Sequence, residues 1–477
     1  MQPAMLIGGK WRRNSEHKLI DVLNKYNGTV INSVPEATDQ DVDDAVAAAD
    51  EAFSGDTLTP HQRYTILSRA AQLLHADGEG FARLLVHEVG KTIKEARAEV
   101  SSAVAAFINA AEEAKRIDGE TVPVDANSGS EGRFAVVMHT PSGPVCAITP
   151  FNAPLNQAAH KVASAIAAGN TIVFKPSEQT PLTAYRLAEI MQEARLPAGF
   201  CNLIYGHGQT VGERLLHDRR FARFTFTGSV AIGRHILATV GVRPVTLELG
   251  STAPTIVFPD ADLKLAAIAC RASGFAIAGQ VCTSVQRLYV HEDVLEKFTE
   301  IFVSLVAQMT LGDPMDETID VGPMLTDAAA ERAEVVLKEA VDAGAIVLTG
   351  GSRSGRLFVP TVVTNVRKEL SLLCREIFAP IVSIIPFRDT DSVIREANDS
   401  DFGLQAGVFT GSLDHAMRAW DRLEVGGVII GDVPSFRVDS MPYGGVKQSG
   451  LGREGVRYAI EDMSELRLMV VKDSPER

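Results

Sequence analysis

Cysteine is scarce in this chain, and paired cysteine motifs are absent. The five residues, Cys146, Cys201, Cys270, Cys282 and Cys374, are scattered and form no C-x-x-C. That spacing suggests neither a disulfide framework nor a zinc site, so reduced thiols and no bound metal are expected. Basic runs are also missing, and 46 lysines and arginines against 60 acidic residues give a net charge of −14. Such a chain is a poor partner for nucleic acid or an anionic membrane. No apolar run approaches the roughly 18 residues of a membrane span. The N-terminal "MQPAMLIGGKWRRNSEHK" lacks the apolar region of a signal peptide. Short repeats and low-complexity stretches are absent as well. The expectation is a cytoplasmic protein. Its 477 residues, 45% of them hydrophobic, are too many for one core and should divide into two or three domains.

What is present is patterned. Residues 40–54 and 58–117 carry apolar positions at helical spacing, as in "DVDDAVAAADEAF" and "LTPHQRYTILSRAAQLL". The stretch 119–149 alternates around the turn signals of "ANSGSEG" and reads as an extended hairpin arm. Strand and helix patterns then alternate. "NTIVFKP" is a strand, and "PLTAYRLAEIMQEA" a helix with Thr180 as N-cap and Pro181 in first position. "FCNLIYG", "TVGERLLHD", "RFTFTG", "SVAIGRHILATV" and "VTLELG" continue the series, which argues a parallel, doubly wound α/β sheet. A second α/β series runs from "APTIVF" through "RLYVHED", "AIVLTGG", "IVSIIPF" and "GGVIIG". The tail "SELRLMVVKD" alternates like a strand with no neighbour left in sequence. Arm and tail together suggest pairing between subunits.

Five short stretches carry chemistry. In "GQVCTSVQR", Cys282 follows an apolar helical run and Gly279, a residue suited to ending a helix. A thiol exposed at the end of a rigid element suits a nucleophile, although a half-buried loop cysteine would look the same. "VTLELG" places Glu248 inside an apolar strand, as a solvent-facing residue or as a buried general base. "FTFTGSVAIGR" puts Gly228 and Ser229 at a strand-to-helix turn, with Gly233 a turn later. That is either a pyrophosphate site or a plain capped helix. In "KPSEQTP", Lys175 and Glu178 stand at a strand's carboxyl end, where they suit ribose hydroxyls or are ordinary surface and first-turn residues. Asn152 of "TPFNAPLN" precedes a helix, as an oxyanion donor or as a turn residue.

Taken in order, "TPFNAP", "KPSEQTP", "FTGSVAIGR", "LELG", "GQVC", "REIFAP" and "MPYGGVKQSGLGREG" closely resemble the aldehyde dehydrogenase superfamily over essentially the whole chain. The resemblance implies Cys282 as nucleophile, Glu248 as base, and Asn152 with the Cys282 backbone N–H as oxyanion donors. It implies contacts of Lys175 and Glu178 with the adenosine ribose, and of Gly228 and Ser229 with the pyrophosphate. Glu376 and Phe378 would meet the nicotinamide ribose and ring, with Thr149, Phe151 and Gly250 also in the cofactor site. NAD is favoured over NADP, because Glu178 would repel a 2′-phosphate. The implied fold is two doubly wound α/β domains plus a small β oligomerisation arm, in dimers or tetramers. Residues 1–118 and 140–248 would form the NAD-binding domain, 249–442 the catalytic domain, and 119–139 with 464–477 the arm.

Two positions depart from the common pattern: Ser251 replaces a glycine, and Phe151 stands where several members have tryptophan. The wording of "FRVDSMPYGGVKQSG" is nearest the lactaldehyde, phosphonoacetaldehyde and non-phosphorylating glyceraldehyde-phosphate dehydrogenase branch. Asn156, Gln157 and His160 share one face of the helix after Asn152, and Ala153 adds room beside them. With Arg437 opposite, or paired to Asp439, they predict a short, hydroxylated or acidic aldehyde as substrate. An acyl-CoA-forming enzyme or a silent scaffold of the same fold are the alternatives. Retention of Glu248, Cys282, Asn152 and Lys175 argues against both.

Overall fold

Threonine-led capping boxes start three of the first four helices. In each, the threonine hydroxyl accepts from the third backbone N–H while that residue's side chain accepts from the threonine N–H. They open α1 (Asp39–Ser54), α2 (Pro60–Ala76) and α4 (Ile93–Ala114), with α3 (Gly78–Val89) between the last two. The stretch 58–117 is thus three helices, broken at Asp77 and at Gly90, whose φ of +85° a glycine accepts without strain. Alanines 96, 103, 106, 110 and 114 bury one face of α4 against α2 and α5 (Pro154–Ala168). The fully buried Phe107 lies among them, and its truncation to alanine would cost about 3–5 kcal/mol. The computed structural model describes residues 2–55 and 57–472.

Short strands follow, buried except for Ile148 and Thr227. Val145–Ile148, Ile172–Lys175, Cys201–Leu203, Arg223–Thr227 and Val245–Glu248 (β1 to β5) run parallel in the order β3-β2-β1-β4-β5. The order reverses between β1 and β4, so a crevice opens outside their carboxyl ends. The crossovers are α5, α6 (Pro181–Glu193), α7 (Glu213–His217) and α8 (Val230–Val240). Met5–Ile7 extends one edge antiparallel, and Gly450–Leu451 returns to extend the other beside β5. Thr180 occupies the expected N-cap of α6 but makes no capping bond. The buried Glu88 carboxylate accepts from the Leu182 and Thr183 N–H groups instead. A charged acceptor from a neighbouring helix displaces the local one there.

The second sheet has seven strands, one before and six after α9 (Leu263–Phe275). Their order is Ile346–Thr349, Thr361–Thr364, Ile381–Phe387, Arg287–His291, Pro254–Val257, Gln405–Phe409 and Gly427–Ile430, with only the first antiparallel. Separate apolar cores underlie the two sheets, and Val456, Ile460 and Met463 rejoin the first. The tail strand is not without a neighbour. Ser464–Lys472 pairs antiparallel with Arg133–Pro141 of the same chain, and Gly119–Val122 completes this three-stranded arm. Val145–Ile148, read as the end of the arm, is instead the central strand β1. Residues 473–477 of the expected arm lie outside the described residues.

Candidate active site

α9 ends at Phe275, four residues before Gly279, and the chain then turns through a left-handed stretch. Ile277 (φ 49°), Ala278 (φ 54°) and Gly279 (φ 71°) all lie there. For a β-branched isoleucine this costs on the order of 1–3 kcal/mol and persists only when neighbours impose it. The neighbours are specific. Glu95 Oε1 accepts from the Ile277 N–H at 2.8 Å, and a Cβ on Gly279 would lie 2.1 Å from the Ala379 carbonyl oxygen. Gln280 then bonds to the Ile277 carbonyl and to the Leu325 N–H. Its own carbonyl accepts from Asn152 Nδ2 at 3.0 Å. The turn thus ties the chain before Cys282 to Asn152.

Asn152 does not cap α5. Glu99 Oε1 accepts the Leu155 and Asn156 N–H groups at 2.9 and 3.1 Å, and Lys91 pairs with its other oxygen in a buried bridge. Relieved of capping, the Asn152 amide crosses to Gln280 and keeps a second N–H uncommitted.

The Cys282 sulfur lies 3.1 Å from the Tyr443 hydroxyl. Burial pushes its thiol up to about 12, opposed by that hydrogen bond. Of the other cysteines, 146, 201 and 270 are buried and Cys374 is exposed; all are free. Glu248, at the end of β5, is 3% exposed, and neither carboxylate oxygen has a hydrogen-bond partner. Burial first and the nearby Glu454 second hold this carboxyl well above the usual range, against the pull of Arg437, Lys161 and Arg453. Glu454 does the opposite. Despite its burial, Lys161 and Arg437 bring it down to about 2. Lys161 Nζ is 2.6 Å and Arg437 3.3 Å from its oxygens.

Arg437 is paired with Glu454, not with Asp439. Asp439 instead lies 2.8 Å from His160 Nε2, and Arg437 approaches the same ring nitrogen at 3.2 Å. The Gln157 amide oxygen accepts from Thr227 Oγ1 at 3.1 Å, at the end of β4. Asn156 has a buried amide oxygen without a partner, and Ala153 is half-buried at the head of α5.

Most of the expected cofactor residues stand at the carboxyl ends of β1, β2, β4 and β5. Thr149 follows β1 and has a buried hydroxyl with no partner. Lys175 is 2% exposed, and its ammonium makes one long bond, 3.3 Å to the Pro176 carbonyl; burial lowers its pKa. Glu178 is half-buried beside it. Ser229 Oγ caps α8 by accepting from the Ile232 N–H, and the Gly228 N–H donates to the Glu248 carbonyl. A Cβ on Gly250 would lie 2.6 Å from Glu376 Oε2, so a side chain there would displace that carboxyl. Ser251 brings no strain, since its φ is not positive and its N–H donates to Glu376 Oε1 at 3.1 Å. Burial pushes the Glu376 carboxyl up to about 7. Phe151 and Phe378 meet edge to face at 5.9 Å. Underused buried donors beside a half-buried carboxylate, at a sheet's switch point, fit a dinucleotide. Among the described residues no three His, Cys, Asp or Glu side chains gather as a metal site, and no helix is long and apolar enough to cross a membrane.

Sequence reasoning singled out neither Glu95, Glu99 and Lys91 nor Tyr443, Lys161 and Glu454. A capping-box glutamate and the charged run of "REG" gave local signals whose partners are remote.

A model of the aldehyde dehydrogenase family matches residues 11–469. The 3-sulfolactaldehyde dehydrogenase of Priestia aryabhattai is 46% identical over 470 residues, covering 98% of each chain. Aldehyde dehydrogenase 21 from Physcomitrella patens, solved in complex with the reaction product succinate, has a TM-score of 0.96 at 39% identity, covering 100% of this chain and 99% of that one. The glyceraldehyde-3-phosphate dehydrogenase GapN from Methanocaldococcus jannaschii, complexed with NADP, has a TM-score of 0.92 at 38% identity, covering 96% of this chain and all of the other.

Proposed function

The chain belongs to the aldehyde dehydrogenase family and oxidises an aldehyde to a carboxylic acid with NAD(P); we propose that Cys282 is its nucleophile, Glu248 its hydrolytic base, and a short hydroxylated or acidic aldehyde its substrate. The bond that ties Asn152 to the residue two before Cys282 carries this reading. It joins the segment after β1 of the first sheet to the chain just before Cys282. The Cys282 thiol gives its proton to water and the thiolate attacks the carbonyl carbon, while Asn152 and the Cys282 N–H donate to the oxyanion. Bound NAD(P)+ supplies the hydride acceptor. The acyl group left on Cys282 is a thioester, and Glu248 takes a proton from the water that hydrolyses it. A buried carboxyl with no hydrogen-bond partner is suited to that role and has none in thiolysis by coenzyme A.

Lys175 and Glu178 hold the adenosine ribose, Gly228 and Ser229 the pyrophosphate. Glu376, Phe378 and Gly250 hold the nicotinamide half, with Thr149 and Phe151 walling the crevice. Glu178 favours NAD over NADP. The NAD-binding domain takes 1–118 and 140–248, and the catalytic domain 249–442. The arm serves homo-oligomerisation, which the exposed Leu466, Leu468 and Met138 on its surface support. The free thiols suit the cytoplasm.

On the substrate side, His160, Asn156 and Arg437 offer polar groups that a bare alkyl chain would leave unpaired, at about 1–3 kcal/mol each. The relatives named for sulfolactaldehyde and glyceraldehyde-3-phosphate, and the one solved with succinate, support a short, charged aldehyde. The test ranks kcat/KM for 3-sulfolactaldehyde, lactaldehyde and succinic semialdehyde against hexanal and benzaldehyde. The polar group should lead by at least tenfold; the reverse order overturns the substrate assignment.

A further inference from the structure

Tyr443 stands in "MPYGGVKQSG", 161 residues from the cysteine whose sulfur its hydroxyl meets at 3.1 Å. That hydroxyl is the hydrogen-bond partner of the sulfur among the described residues. The ring is 5% exposed, and the Arg437 guanidinium lies over it at 4.0 Å. The backbone is equally fixed: Tyr443 and Glu454 exchange both N–H···O bonds, at 2.9 and 2.6 Å, and Lys161 anchors the Glu454 carboxylate. The next residue, Gly444, passes so close to Glu248 that a Cβ would lie 2.8 Å from Oε1. One short segment therefore touches both the sulfur and the carboxyl.

We propose that Tyr443 is a further catalytic residue, whose hydroxyl donates to the Cys282 sulfur and stabilises its thiolate for attack. The inference rests on Cys282 being the nucleophile. A phenol donates well to an anionic sulfur, and a charge-assisted bond in a buried site is about twice as strong as a neutral one. The titratable groups that face the sulfur are Glu376 and Glu248, which oppose its ionisation when they are ionised, and Arg437, which favours it. Arg437 and Glu248 also face Tyr443, and burial holds its phenol protonated well beyond the usual range. The hydroxyl thus remains a donor to the sulfur across the neutral range. Nothing is transferred: the tyrosine keeps its proton through the cycle.

Tyr443→Phe keeps the ring beneath Arg437 and removes one oxygen. The full-length protein is alkylated with iodoacetamide across a pH series, the label is located by peptide mass spectrometry, and Cys282→Ala supplies the background. The apparent pKa of the Cys282 thiol should rise by about one unit or more, which is at least a tenfold slower labelling below both values. The pre-steady-state NADH burst should slow about tenfold while the aldehyde KM moves less than threefold and Tm is unchanged. Where the phenylalanine variant does not fold, 3-fluorotyrosine at position 443, a stronger donor, should lower the thiol pKa. A labelling profile that superimposes on wild type in the folded variant overturns the role of Tyr443 alone. Normal turnover in Cys282→Ala overturns it together with the nucleophile assignment.

Discussion

Glu95 and Glu99 stand one helical turn apart on α4, and each accepts backbone N–H groups from a different wall of the catalytic centre. Glu95 holds the strained turn before Cys282, and Glu99 holds the start of α5 just after Asn152. The separation of the proposed nucleophile and oxyanion donor is thereby referred to the pitch of a single helix, whose neighbouring i, i+4 positions lie about 6 Å apart.

Lys91 and Glu99 are buried together, with side chains 1% and 5% exposed. Glu99→Gln keeps an acceptor for α5 but leaves the ammonium uncompensated, a loss of about 3–5 kcal/mol. The urea midpoint should fall steeply in Glu99→Gln and recover in large part when Lys91→Met is added. An unchanged midpoint in the single variant would count against the clamp.

Cys282→Ala should abolish aldehyde oxidation by several orders of magnitude while NAD binding, followed by tryptophan fluorescence, stays within a factor of about three. Cys270→Ala, inside the apolar core of the second sheet, should lose stability and not chemistry. Equal losses of activity from two folded variants would refute the distinction.

Glu248→Gln should acylate and then stall. Rapid mixing is expected to give one NADH burst per site, with the acyl group found on the protein by mass spectrometry. Burial and Glu454 hold the wild-type carboxyl protonated, so its fraction able to accept a proton grows as pH rises. Wild-type deacylation should therefore rise with pH across the neutral range, and the glutamine variant should lose that slope. If the burst itself disappears, Glu248 acts before the thioester.

The proposed preference for NAD turns on Glu178. A partly screened clash of about 1–3 kcal/mol with a 2′-phosphate corresponds to roughly 5- to 150-fold in kcat/KM. Glu178→Ser should bring NADP closer to NAD by that factor; a wild-type preference for NADP removes the argument.

The alternation of short apolar strands with helices made both sheets legible, and the end of β5 with Glu248 among them. Two strands of the second sheet, Thr361–Thr364 and Gln405–Phe409, escaped notice because short β-branched or glycine-containing runs carry little period. The tail strand was legible as a strand but not in its pairing, since its partner lies more than 320 residues earlier. Cys282, Asn152 and Lys175 stood in recognisable wording. Tyr443 stood there too, in "MPYGG", but its contact with the sulfur, 161 residues away, was not legible; Glu99 stood in no such wording, and its contact reaches across 56 residues that no local pattern encodes.

The return of Gly450–Leu451 to the edge of β5, and of Val456, Ile460 and Met463 to the first core, has a consequence for synthesis on the ribosome. The second sheet is threaded between two pieces of the first. A nascent chain can finish the second sheet's strands while the first still lacks one flank and a part of its interior. The domain begun first is thus completed last, and the unfinished edge of β5 stays open until residues 450–463 emerge.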